Sequence, residues 1–395
     1  MFSGRVPRDL RPNRLTAALE ARRAAGGPVL DLSESNPTRV GLDYPARLLD
    51  ALAAPGAATY EPAPTGLPAA RAAVASYYAA RGHPIDPAHL VLCASTSEAY
   101  AWLFKLLAEP GEEVLVPAPC YPLFSLLAGL ESVRVAHYPL QYDGRWHVDT
   151  DALRAAVTPA TRALVVVNPN NPTGSFLHAA ELAAMEELCR AHDLAIVSDE
   201  VFADYADAGG AGAGADATRV PFAAAAARVL TFSLSGLSKV AALPQMKLGW
   251  IAAGGPEAAR TAALARLEIV ADTFLSVGAP VQHAAAALLA HAPALQRQIR
   301  ARVAENRAAL GAALRAAPAA TLLHAEGGWY AVVRCPRTMS EEELCLALLA
   351  EDGVLVHPGY FFDFASESFL VLSLLPVPAL FAEAAGRLAA RIALL

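Results

Sequence analysis

Lys239 closes the segment Ser233-Leu-Ser-Gly-Leu-Ser-Lys239, and Lys247 follows eight positions later, ahead of the apolar run Leu248-Gly-Trp-Ile251. A lysine amine does covalent chemistry when it forms a Schiff base with an aldehyde, and pyridoxal phosphate is the usual aldehyde cofactor. The small residues of this segment let backbone approach a bulky group closely. Ser235, Ser238 and Lys247 are candidates to meet an anionic phosphate. The plain alternative is a solvated loop lysine, so the rest of the chain has to decide.

Other candidates stand where short apolar runs end. After Leu90–Cys93 comes Ser95-Thr96-Ser97, opening a helical stretch. Free N–H groups and hydroxyls at a helix N-terminus suit a phosphate, and an ordinary cap is the alternative. After 163–167 comes Asn168-Pro-Asn-Asn171-Pro-Thr-Gly174, a turn stiff enough to aim one amide. After 194–198 comes Asp199, poorly solvated and in need of a cation such as a protonated pyridine nitrogen. After 112–116 comes Tyr121, able to stack on a flat ring or to fill core. A rigid turn, a helix cap and a salt bridge are the corresponding alternatives. The order of these features along the chain argues for one site.

The elements that would position them form a pattern. Runs at 90–93, 112–116, 133–138, 163–167, 194–198 and 228–232 read as buried strands, with helical stretches such as 97–108 and 179–191 between most of them. Such alternation predicts an α/β fold, a mostly parallel sheet sandwiched by helices, with ligands beyond the carboxyl ends of the strands. A helix over 69–81 begins at Pro68 and ends at Gly82, and a short one runs from Leu15 to Ala25. After 256 the pattern is largely helical; a long helix over 293–316 leads to strands near 328–334, 354–356 and 369–374, with helices at 340–351 and 378–392. The expected domains are an N-terminal arm with part of a small domain (1–45), a large domain (46–290) and a C-terminal small α+β domain (291–395). Residues 206–217 read as a low-complexity surface loop; Gly210, Gly212 and Ala215 match a dinucleotide-binding spacing without the strand and helix it requires.

Composition sets outer limits. The chain has 395 residues, and 55% are apolar, many of them alanine, which reads as helix. No uncharged apolar run of the ~18 residues a span needs is present, so no membrane segment is expected. A net charge of −7 without a basic block argues against nucleic acid as a partner. Five cysteines without a CxxC pair indicate neither a zinc site nor a disulfide framework. A soluble cytoplasmic protein without a metal is the expectation.

From about Asn36 to Trp250 the chain resembles the class I/II aminotransferases, pyridoxal-phosphate enzymes of fold type I with a large domain built on a seven-stranded sheet. The Asn168–Gly174 turn is the most specific match, followed by the Ser233–Lys239 segment and Tyr60 six residues before Gly66. The resemblance implies that Lys239 forms the Schiff base, Asp199 pairs with the pyridinium nitrogen, Asn171 bonds the ring hydroxylate and Tyr121 stacks on the ring. It implies phosphate contacts from Ser95, Thr96, Ser97, Ser235, Ser238 and Lys247. Tyr60 would reach the phosphate in the other subunit of a homodimer. The implied reaction moves an amino group between an amino acid and a 2-oxo acid.

Three positions depart from the family pattern. Phe202 stands where a tyrosine is usual, and Lys247 where an arginine would grip the phosphate with a bidentate fork. Val371 stands where an arginine would hold the substrate carboxylate. Asn36, Arg39, Arg334 and Arg14 are candidate replacements. The missing arginine keeps a β-lyase, a decarboxylase or a biosynthetic cyclase on the same cofactor open as an alternative. A cofactor-binding regulator is less expected, because only about 30 residues precede Asp31.

Overall fold

The structure is a computed structural model, and it describes residues 2–207 and 218–395. The dinucleotide-like spacing at 210–215 lies outside the described residues. Fourteen strands are numbered in chain order among those described: β1 Leu30–Asp31, β2 Leu90–Cys93, β3 Glu113–Ala118, β4 Arg134–Tyr142, β5 Trp146–Val148, β6 Thr161–Val167, β7 Ala195–Asp199, β8 Thr231–Gly236, β9 Gly249–Gly254, β10 Thr321–Leu322, β11 Tyr330–Arg334, β12 Val354–Leu355, β13 His357–Pro358 and β14 Phe369–Ser373.

The large sheet runs β2-β9-β8-β7-β6-β3-β4-β5. Its centre, from β8 to β4, is parallel. β9 lies antiparallel between β2 and β8. The apolar run after Lys247 is therefore a strand, folded straight back beside β8. The sheet has eight strands rather than seven because the three-residue β5 pairs with the outer edge of β4.

Both faces of the sheet are covered, which is why the strands read as unbroken apolar runs. Val114, Val165, Val197 and Phe232 pack on one side with Trp102 and Leu103 of helix Thr96–Leu107. Leu115, Leu164 and Ile196 pack on the other with Met185 and Leu188 of helix Ala179–His192.

The second sheet runs β10-β11-β14-β13 and is antiparallel. Ala331, Val333, Leu370 and Leu372 face helices Ala292–Leu314 and Pro378–Ile392, where Leu310, Phe381 and Leu388 complete an apolar core. Strand alternation and register put Tyr330, Val332, Val371 and Ser373 on the opposite face. β1 pairs with β12, so the segment near residue 30 is joined to the C-terminal part.

The two parts touch at the site. Gly174, at φ +71°, shows why: a Cβ there would stand 2.4 Å from the Gly327 carbonyl oxygen. Only glycine allows both that backbone angle and that approach. The Cys120 N–H also donates to the Phe362 carbonyl at 2.8 Å.

Candidate active site

A cavity of about 300 Å³ opens at the carboxyl ends of the central strands, lined by Ser95, Thr96, Ser97, Tyr121, Asn171, Asp199, Ser238, Lys239 and Lys247, with Ser35 and Tyr330 from the other side. Nine of the expected residues thus converge on one space.

Lys239 sits in a single helical turn, Leu237–Val240, that follows β8 directly. Its Nζ lies 5.4 Å from the Trp329 ring centre and 5.8 Å from that of Phe202. Burial among these rings lowers its pKa by disfavouring the ammonium, against the opposing pull of the Asp199 charge. The result is an amine biased toward its nucleophilic form.

Asp199 ends β7. Burial pushes its carboxyl up to about 6, opposed by hydrogen bonds from the Val201 N–H and the Tyr100 hydroxyl and by the charge of Lys239. Tyr100 Oη donates to Asp199 Oδ2 at 3.1 Å, and Val201 N to Oδ1 at 3.2 Å. A cation arriving beside Asp199 would favour its ionised form further and oppose the effect of burial. Tyr100 lies four residues beyond Thr96, on the same helix face, and is a functional contact that motif reading did not pick out.

The turn after β6 divides its asparagines by task. Asn168 spans Val220 and Leu177, receiving the Leu177 N–H at 2.8 Å. Asn170 accepts from the Thr173 hydroxyl at 2.9 Å. Both are consumed in holding the turn. Asn171 is buried, lines the cavity, and its Oδ1 has no hydrogen-bond partner. Buried polar atoms are rarely left so, and at a site they point to a missing partner.

Ser95 is both a cap and a wall. Its Oγ accepts the Glu98 N–H at 3.2 Å, while Glu98 accepts the Ala94 N–H at 2.6 Å. The start of helix Thr96–Leu107 then points its first N–H groups and the hydroxyls of Thr96 and Ser97 at the cavity, across from Lys247. This is an anion-binding arrangement.

Other expected residues lie elsewhere. Ser235 is inside β8, not in a turn, and strand alternation sends it to the opposite face from Gly236. It lines a separate cavity with Glu200, Tyr78 and Phe222, so it is not a wall of this one. Asn36 spends its Oδ1 on the Thr38 N–H and hydroxyl, at 3.0 and 2.7 Å. Arg39 is exposed on the Pro37–Arg39 turn. Arg334 is exposed at the far end of β11, roughly 13 Å along the strand from Tyr330. Arg14 pairs with Glu342 at 2.6 Å on the surface. None of the four lines the cavity. Tyr60 is 81% exposed beside Glu61, Ser276 and Gly278. Val371 is core, registered between Val332 and His357. Ser35 and Tyr330 are cavity residues that sequence reading missed; nothing in their local pattern signals a site.

Among known proteins, the family model for aminotransferase class I and II matches residues 28–385. The chain belongs to the class I and II aminotransferases. It is 33% identical over 270 residues to the glutamate–pyruvate aminotransferase of Escherichia coli, a match covering 67% of this chain and 65% of the relative's length. It is 29% identical over 362 residues to an alanine aminotransferase of Mycobacterium tuberculosis, covering 89% of this chain and 83% of the relative. An aminotransferase structure from Escherichia coli superposes with a TM-score of 0.86 at 26% identity, covering 99% of this chain and 97% of that one. The class I and II aminotransferase fold thus accounts for both sheets and their joining. Against the family pattern, Phe202 packs 5.2 Å from the Trp329 ring centre and 6.3 Å from that of Tyr330, so this corner of the site is aromatic. Among the described residues, no helix is long and apolar enough to cross a membrane.

Proposed function

We propose that this aminotransferase uses pyridoxal phosphate to move an amino group between a small amino acid and a 2-oxo acid. One observation carries the reading: a desolvated lysine amine shares a cavity with a buried aspartate, an asparagine amide whose oxygen has no partner and a helix N-terminus. Those groups match, in turn, the aldehyde, the ring nitrogen, the ring oxygen and the phosphate of that cofactor. Bound through Lys239, it supplies an electron sink that acidifies the Cα–H of an amino acid.

The chain's own residues do the rest. Asp199, held by Tyr100 and Val201, keeps a proton on the ring nitrogen. Asn171 and the Tyr121 ring fix the ring's tilt. Ser95, Thr96, Ser97, Ser238 and Lys247 hold the anionic end. As a free amine, Lys239 would move the proton from Cα, a task worth roughly 10²–10⁴-fold for a positioned base. The burial that lowers its pKa biases it toward the neutral amine, the form that can accept that proton.

A homodimer completes the proposal. Tyr60, exposed in the single chain, would enter the partner's site. The relatives described above are aminotransferases, several of them acting on alanine or on glutamate with pyruvate by name, which favours transamination over a lyase, decarboxylase or cyclase. The test is a panel of amino donors offered to the cofactor-loaded protein, read by loss of its visible absorption and by formation of 2-oxo acid. Alanine or glutamate is expected to bleach it, with Lys239→Ala slowing turnover at least ~10³-fold. A loaded protein that no amino acid bleaches, or a Lys239→Ala variant near the wild-type rate, sinks the reading.

A further inference from the structure

Resting on the transaminase reading, we propose that the amino donor's carboxylate is held by neutral groups, the hydroxyls of Ser35 and Tyr330 and the amide of Asn171, and by no guanidinium. Among the described residues no arginine lines the cavity, and the cations that do are Lys239 and Lys247, both engaged by the cofactor in the proposed reaction. The position that would present an arginine, Val371, is apolar and 1% exposed. Yet that face of the second sheet is not inert. Tyr330 projects from it, diagonally across β11 and β14 from Val371, and it reaches the cavity that Val371 does not.

Tyr330 brings a phenol beside two other polar side chains. Burial pushes that phenol up to about 12, with hydrogen bonding to Ser35 and then to Asn171 acting the other way. The phenol therefore keeps its proton at neutral pH and is a donor. Ser35 adds a second hydroxyl to the same wall. The Asn171 amide joins them: turned so that its NH₂ faces the cavity, it offers two N–H groups, one for the cofactor's ring oxygen and one for a carboxylate. Three neutral groups from three segments thus meet in the cavity, linked through the Tyr330 phenol.

Arg307, half-buried, donates to the Tyr330 backbone carbonyl at 3.4 Å and does not line the cavity. Hydrogen bonds from neutral donors are about half as strong as charge-assisted ones, so several converging donors stand in for one arginine fork.

The experiment titrates propionate, a carboxylate without an amino group, into the cofactor-loaded protein by calorimetry, alongside the Kd of the cofactor itself. Tyr330→Phe is expected to weaken propionate about tenfold and Ser35→Ala by a comparable factor, each leaving the cofactor Kd within about twofold. In turnover, the KM for an amino acid is expected to rise while kcat holds. Unchanged propionate affinity in both variants overturns the assignment, as does equal weakening of propionate and cofactor, which would mean a merely structural role. A larger loss in Arg307→Met than in Tyr330→Phe overturns it in favour of the guanidinium. A wild type that binds propionate but transaminates nothing defeats the proposed reaction and leaves this subsite standing.

Discussion

The two walls of the cavity are built on different principles. The wall from the large sheet is charged: Lys239, Asp199, Lys247 and a helix N-terminus stand within it. The wall from the second part is neutral, made of Ser35 and Tyr330, with Trp329 and Val371 behind them. Charge is thus concentrated where a cofactor with an anionic phosphate and a cationic ring would lie. The side that would admit the varying substrate carries hydroxyls and rings. In the proposed reaction, the difference would have the cofactor and the substrate recognised by separate physical means.

The strongest way to break this comparison is to remove charge from the large-sheet wall. Asp199→Asn keeps the shape and removes the anion. It is expected to cut kcat by roughly 10²-fold or more while leaving the Tm of the cofactor-free protein unchanged or raised, because burial opposes that charge. Rate and melting measured on the same sample check it; a near-normal rate would show that the charged wall is not electrostatic in purpose.

A second prediction separates the two carboxyls at the end of β7. Glu200, next to Asp199, points away from the cavity, and burial raises its pKa to about 8. Its Oε1 accepts from the Ala223 N–H and the Ser233 hydroxyl, both at 2.8 Å, and its Oε2 has no partner. A carboxyl whose folded pKa is raised binds more protons folded than unfolded, so stability falls as pH rises from the unfolded value near 4.5 to about 8 and then levels off. Glu200→Gln removes that dependence. Its Tm, compared with wild type, is expected to gain by several degrees between pH 5 and pH 8, with the gain flat above; a constant offset across pH would refute the buried acid. Since Glu200 lies outside the reacting cavity, kcat should change far less than in Asp199→Asn.

The smallest effect sharpens the charged wall. Lys247→Arg restores a planar fork at the phosphate end, and cofactor binding is expected to tighten about threefold, read by equilibrium dialysis. Weaker binding would mean that the exposed Lys247, in its left-handed conformation at φ 50°, cannot be replaced by the longer group.

Most of the charged wall was legible from residue types alone. Lys239, Asp199, Asn171 and the Ser95–Ser97 cap each follow an apolar strand closely, and strand ends in such sheets converge. Ser235 was a phosphate candidate by its nearness to Lys239, which does not decide the face its side chain takes. Ser233–Gly236 belongs to a buried strand, where a period of two sends neighbours to opposite faces. β9 was missed as a strand because it returns antiparallel and has no helix before it. The arginine candidates failed for a simpler reason: a guanidinium in a sequence says nothing about which end of a strand faces the cavity, and Arg334 occupies the wrong end.

By itself, the sequence determined the alternating sheet, the family, and the chemistry of the wall whose residues sit at successive strand ends. Those features are local: periodicity sets the strands, and short stiff turns aim the side chains at their ends. Only the tertiary structure decided the neutral wall. Ser35 and Tyr330 come from distant segments, meet through the joining of two sheets, and owe their place to a register and a backbone approach at Gly174 that no local pattern encodes.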